Sequence, residues 1–185
     1  YLHSLGNSNS ATGDGKLTLD LPTDEKEDTF IFDPKNPVPT IGGGLCCNPS
    51  FMAPGAFDHS EIETREDVLV YSTDPLEKPI EVTGPIKLNV FVCSTAKDTD
   101  FTAKLLDVEP CGYARNLTDG IIRGRFRNTD EDASFLNPGQ IYQLEINLGA
   151  TSNLFLKGHQ IRLEISSSNF PRFDRNSNTG GEIGT

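Results

Sequence analysis

The sequence has no Trp, only three His, and sixteen Lys and Arg against twenty-seven Asp and Glu. Each shortage excludes a class of function. At a net charge of −11 there is no basic stripe of the kind that neutralises phosphates, so nucleic acid is not an expected partner. The longest charged run, Asp24-Glu25-Lys26-Glu27-Asp28, repels phosphate and anionic lipid alike. No window approaches the run of about 18 apolar residues that a spanning helix needs, so no membrane partner is expected. The opening Tyr1-Leu2-His3-Ser4 has neither Met nor a basic and apolar leader. It reads as the interior of a longer chain rather than as a signal peptide.

Catalytic chemistry is scarce as well. The G-x-S-x-G turn that exposes a hydrolase serine is absent. A base at neutral pH needs a His oriented by a carboxylate, and His3, His59 and His159 each read as a surface or loop histidine. No catalytic residue is therefore assigned. Cys46, Cys47, Cys93 and Cys111 show no CxxC or Cys/His spacing, so no metal or other cofactor is expected. Cys93 and Cys111 are compatible with a disulfide or with half-buried reduced thiols, and the thiol reading leans towards the cytoplasm. Asp130-Glu131-Asp132 supplies three carboxylates where Ca²⁺ takes six to eight oxygens, and reads as a solvated loop.

What the chain does have is period two. Ile86, Leu88, Val90 and Val92 alternate with Lys87, Asn89, Phe91 and Cys93. Phe101, Ala103 and Leu105 alternate with Thr102, Lys104 and Leu106. Leu144 and Ile146 alternate with Gln143 and Glu145, and Ile161, Leu163 and Ile165 with Arg162, Glu164 and Ser166. Such runs, bounded by Gly, Pro, Asn and Asp, are half-buried antiparallel strands. Asp67–Thr73, Leu17–Leu19 and Thr29–Phe32 read as further strands, and Gly120–Arg127 as a strand or a short helix. No stretch shows a 3.6-residue apolar period. The expected fold is all-β, two sheets packed as a jelly-roll sandwich, with residues 1–185 one domain. Its core draws on Leu88, Val90, Phe101, Ala103, Leu144, Ile146, Leu163 and Ile165.

Two segments exceed what a plain sandwich needs. Thr40-Ile41-Gly42-Gly43-Gly44-Leu45-Cys46-Cys47 places three glycines where positive φ and close backbone approach are free. It is either a tight crossover or a functional loop. Ser166–Asn176 sets Phe170, Arg172, Phe173 and Arg175 in one loop, the residue types that anchor protein–protein contacts. It is either a docking surface or a loop packed on itself.

These segments, with what lies between them, resemble the C-terminal domain of the cocaine esterase and X-Pro dipeptidyl-peptidase family of serine hydrolases. The likeness rests on Asp33-Pro34 and Pro37-Val38-Pro39-Thr40 with its glycines, Asp67–Tyr71, Glu81–Pro85 and Asp98–Leu105. It continues through Asn116–Ile121, Thr151-Ser152-Asn153 and Ser166–Gly181. The resemblance implies a jelly roll similar to galactose-binding domains, packed on the α/β-hydrolase catalytic domain of the same chain. It implies that the catalytic Ser and His lie upstream of Tyr1, that a closing segment follows Thr185, and that the substrate is a small ester, amide or peptide. It also implies that Leu45, Cys46 and Cys47 border the substrate pocket. The alternative is a carbohydrate-binding module, since sugar binders share the fold; the lack of Trp weighs against a stacking platform.

Overall fold

Alternating apolar residues settle into strands, and the faces they share define two layers. The computed structural model describes residues 1–44, 50, 52–128 and 133–182. Its strands are β1 (Leu2–His3), β2 (Lys16–Leu17), β3 (Leu69–Ser72), β4 (Ile80–Val92), β5 (Asp100–Val108), β6 (Ala114–Arg123), β7 (Tyr142–Phe155) and β8 (Gln160–Ser166). One sheet runs β1-β2-β3-β8-β5-β6, and the other is the long β4–β7 pair. Between the named strands every pairing is antiparallel except the β2–β3 bridge, and an isolated Pro39–Phe170 bridge is parallel too. Among the described residues there is no α-helix, only the 3₁₀ turns Ile62–Thr64 and Gly124–Phe126. The chain is a β-sandwich.

The core lies between the layers. Leu69 and Tyr71 of β3, Phe101, Ala103 and Leu105 of β5, and Leu163 and Ile165 of β8 face Leu144, Ile146, Leu148 and Phe155 of β7. Leu88 and Val90 of β4 pack against this cluster only partly buried, because β4 is an outer strand whose other face is exposed. Pro85 fits there, since a residue without an N–H is tolerated at a sheet edge. Where β4 pairs with β7 the register slips between Pro85 and Lys87, and Gly149 takes up the extra residue at φ 77°.

β5 differs from the other long strands, for it is buried on both faces. The second face of the six-stranded sheet is covered by Val38, Ile41, His59 and Ile62 and by the segment after Ser166. Val38, Ile62, Val68 and Val70 form a smaller apolar cluster there.

Several expectations need correction. Thr29–Phe32 is not a strand, and Ile31 is 89 % exposed. Of Leu17–Leu19 only Leu17 belongs to a ladder, while Leu19 is exposed. Gly120–Arg127 is strand through Arg123, then a 3₁₀ turn. Cys93 and Cys111 are free and exposed rather than half-buried. Asp130-Glu131-Asp132 lies outside the described residues.

Candidate functional site

The second face of β5, β6 and β8 is where sequence and structure diverge most. Thr102, Lys104, Glu164, Arg162 and Asp119 alternate with core residues and so look solvent-facing. Yet Thr102, Lys104, Glu164 and Arg162 are all buried. Glu164 and Asp119 flank Lys104 across the ladders, with Lys104 Nζ 3.4 Å from Glu164 Oε2.

His59 completes this group. Its Nδ1 lies 3.2 Å from both Glu164 oxygens and its Nε2 2.9 Å from the Ile41 carbonyl oxygen. It is fully buried, which corrects the surface reading, although it does lie in a loop outside the strands. Both ring nitrogens are turned to these buried acceptors, so neither faces an open position from which a substrate proton could be drawn. Burial works to raise the Glu164 carboxyl, but the Lys104 charge and His59 outweigh it and hold the group below its ordinary value.

The two segments singled out in the sequence meet above this face. The Phe170 N–H donates to Val38 O (2.9 Å) and the Thr40 N–H donates to Phe170 O (2.7 Å), while the Arg172 N–H donates to Thr40 Oγ1 (3.1 Å). The glycine loop and the Phe/Arg loop thus run side by side. Asn116 Nδ2 donates to Ile41 O at 3.1 Å. Gly43 and Gly55 exchange backbone hydrogen bonds of 2.7 and 3.1 Å. Gly42 has φ 63° and Gly43 φ 99°, and a β-carbon on Gly42 would sit 2.3 Å from Gly55 O. Glycine is required there by both conformation and space.

Within the Phe/Arg loop the predicted docking residues pair among themselves. The Arg172 guanidinium lies 5.3 Å from the Phe173 ring centre and Arg175 5.0 Å from that of Phe170. Arg172 also pairs with Asp119 at 2.9 Å. Phe170 and Phe173 are half-buried and Arg175 is exposed. Leu45, Cys46 and Cys47 lie outside the described residues. Phe57, which sequence reasoning missed, packs beside Gly42 and Gly55 and remains 40 % exposed. Its only signal was proximity to His59.

A second polar cluster ties the chain beyond Asn176 to the sheet. Asn176 Nδ2 donates to Asp98 Oδ2 (2.9 Å) and Asp100 Oδ1 (2.8 Å). Arg125 holds Asp98, and Arg123 holds Asp100. Burial raises the Asp100 carboxyl despite Arg123 and Asn176.

The group nearest to a triad is Glu25–His3–Thr18. His3 Nδ1 meets Glu25 Oε1, and Nε2 lies 2.9 Å from Thr18 Oγ1 and 3.0 Å from the Asp20 carbonyl. That carbonyl only accepts, so it takes the Nε2 proton, and Thr18 Oγ1 is itself an acceptor for the Asp20 N–H (3.1 Å). The arrangement latches a turn. His159 likewise serves structure, with Nδ1 2.7 Å from Asp107. Among the described residues no group of three or more His, Cys, Asp or Glu is set to hold a metal. No helix among them is long and apolar enough to cross a membrane.

This constellation, a β-sandwich whose glycine loop and Phe/Arg loop are zipped together over a buried ionic face, agrees with the comparison across the chain. Residues 1–183 match the X-Pro dipeptidyl-peptidase C-terminal non-catalytic domain. The chain belongs to that family. It is 48 % identical over 183 residues to a cocaine esterase of Rhodococcus sp. (strain MB1 Bresler), covering 99 % of this chain and 32 % of the relative. Its fold superimposes on an aminopeptidase from a marine sediment archaeon, Thaumarchaeota archaeon, with TM-score 0.83 and 29 % identity, over 99 % of this chain and 32 % of that one. An α-amino acid ester hydrolase matches with TM-score 0.74 and 26 % identity, over 82 % of this chain and 26 % of its own. The domain therefore spans about a third of the length of the cocaine esterase and the aminopeptidase, and its family is a non-catalytic one.

Proposed function

We propose that this chain is the accessory β-sandwich of a serine hydrolase acting on small esters, amides or X-Pro peptides. In this reading it packs as one domain against the α/β-hydrolase catalytic domain of the same polypeptide, completes one wall of the substrate cleft and stiffens its partner. The parent would cleave by acyl transfer through Ser, His and Asp with an oxyanion hole, none of it supplied by this chain. The cocaine esterase, aminopeptidase and ester hydrolase relatives support the substrate class.

The observation that carries the proposal is the meeting of the two loops. They bring Phe170, Arg172, Phe173 and Arg175 beside Thr40 and Gly43, with Phe57 packed against Gly42. The Arg–Phe stacks hold the rings half-covered, as a surface poised to exchange one cover for another. A cytoplasmic setting belongs to the same reading, supported by the free, exposed Cys93 and Cys111. A sugar-binding role gains nothing, because among the described residues the exposed aromatics Tyr1, Phe57, Phe91 and Phe135 sit on separate segments of the chain.

The test is Phe173→Ala, made both in the parent hydrolase and in this chain alone. The expected result is a lowered melting temperature in the parent and one little changed in the chain. Equal loss in both would show that Phe173 serves this domain's own packing, and the docking role would fall.

A further inference from the structure

The conformation of the glycine loop is set from below, by charged and polar side chains of the sheet. The Ile41 carbonyl accepts from two donors at once, Asn116 Nδ2 at 3.1 Å and His59 Nε2 at 2.9 Å. His59 is in turn oriented by Glu164 of β8. Two residues on, Gly43 lies against Arg172, so close that a β-carbon there would sit 2.9 Å from Arg172 Nη1. That guanidinium is held by Asp119 of β6. Asp119 also accepts from Asn169 Nδ2 at 3.0 Å, in the segment leading into Arg172.

A displaced register makes this possible. Asn116 and Asp119 are three apart, and in a regular strand they would face opposite sides. Leu105 pairs with Thr118, but Leu106 pairs with Asn116, which leaves Leu117 as a bulge. The extra residue shifts the phase, so that Asn116 and Asp119 share the face that Leu106 and Lys104 occupy on β5. Bulges re-aim side chains in this way. Leu117 itself packs against the core cluster.

Stability does not explain the arrangement. Lys104 Nζ, Asn169 Oδ1 and Arg172 Nη1 are buried without a hydrogen-bond partner, the last meeting Asp119 as an ion pair only, and buried charges recover their desolvation cost only with excellent geometry. What the network does achieve is to fix a loop whose glycines have no preference of their own.

We propose that Asn116, His59 oriented by Glu164, and Arg172 paired with Asp119 are positioning residues that set the glycine loop and through it the shape of the substrate cleft. The second half of this statement rests on the function proposed above; the first half does not.

The experiment has two arms. In the 185-residue chain, Asn116→Ala and Arg172→Ala are followed by amide hydrogen exchange. Exchange at Gly43 and Gly55, which bond each other, is expected to quicken about tenfold while Ala103 and Ile165 in the sheet keep their rates. In the parent hydrolase the same variants are expected to raise KM about threefold or more with kcat nearly unchanged. Arg172 sits half-exposed in its loop, so its variant reports even if Asn116→Ala fails to fold. Unchanged exchange at Gly43 and Gly55, or equal acceleration at Ala103 and Ile165, overturns the positioning role. Faster loop exchange with an unaltered KM upholds the positioning and overturns the cleft reading on which its consequence rests.

Discussion

Gly120 lies so close beneath Asn147 that a β-carbon on it would stand 2.1 Å from the Asn147 carbonyl oxygen. The contact joins β6 of the large sheet to β7 of the small one, and the neighbouring Thr118 hydroxyl donates to Leu148 O beside it. It marks the corner where the two layers close on each other. The backbone of Gly120 is not in the left-handed region, so space rather than conformation demands glycine here.

Gly120→Ala is therefore expected to lower stability by about 1–3 kcal/mol, the usual cost of overpacking a rigid site, or to prevent folding. Gly44→Ala is the control: among the described residues an added β-carbon there meets nothing nearer than Arg172 Nη2 at 3.9 Å. Urea denaturation of both variants checks this. Equal stability of Gly120→Ala and the natural chain would mean that the corner relaxes freely.

The same strands show how much of the fold could be read from the sequence. The face of β5 made by Phe101, Ala103 and Leu105 was legible because it alternates with polar residues, and it does form the core. The other face, with Thr102 and Lys104, was misjudged. Alternation reports polarity, and it cannot separate a solvated face from an ionic one roofed by loops. Asn116 and Asp119 were hidden for a related reason, since a single bulged residue reverses the phase on which any period-two count depends. The glycine loop and the Phe170–Arg175 segment were each visible from composition. Their adjacency was not, because the bonds joining Thr40 to Phe170 and Arg172 span more than a hundred residues of chain.

Purified alone, the chain is expected to hydrolyse neither p-nitrophenyl esters nor Gly-Pro anilides above background. His59 has both nitrogens committed to Glu164 and Ile41 O, and the His3 Nε2–H donates a hydrogen bond to the Asp20 carbonyl. A base needs a lone pair within reach of the proton it removes. Turnover that survives repurification and disappears in His59→Ala or His3→Ala would show that one of these rings is catalytic.

The last prediction concerns pH and rests on Glu63. Its carboxylate is buried at the edge of a cleft of about 770 Å³ that also involves Thr12, Pro110, Gln160 and Arg162. Burial raises its pKa from 4.5 to about 7, with the nearby Glu164 charge adding to the rise and Arg162 opposing it. Because the folded state holds this proton more tightly, the unfolded chain releases it first as pH rises. The Glu63 contribution to stability is thus most favourable below pH 4.5, declines between 4.5 and 7, and is flat above. The full decline is at most about 3 kcal/mol. Glu164 and Asp58, whose carboxyls are held low, act in the opposite sense, but their contributions are lost only as pH falls through the acid range. Glu63→Gln keeps an acceptor for Arg162 and removes the titration. Denaturation of both proteins from pH 5 to 8 should show the variant gaining on the natural chain as pH rises. A difference that stays constant, or one that moves in favour of Glu63 at high pH, would mean that attraction to Arg162 outweighs burial and that the carboxylate is ionised throughout.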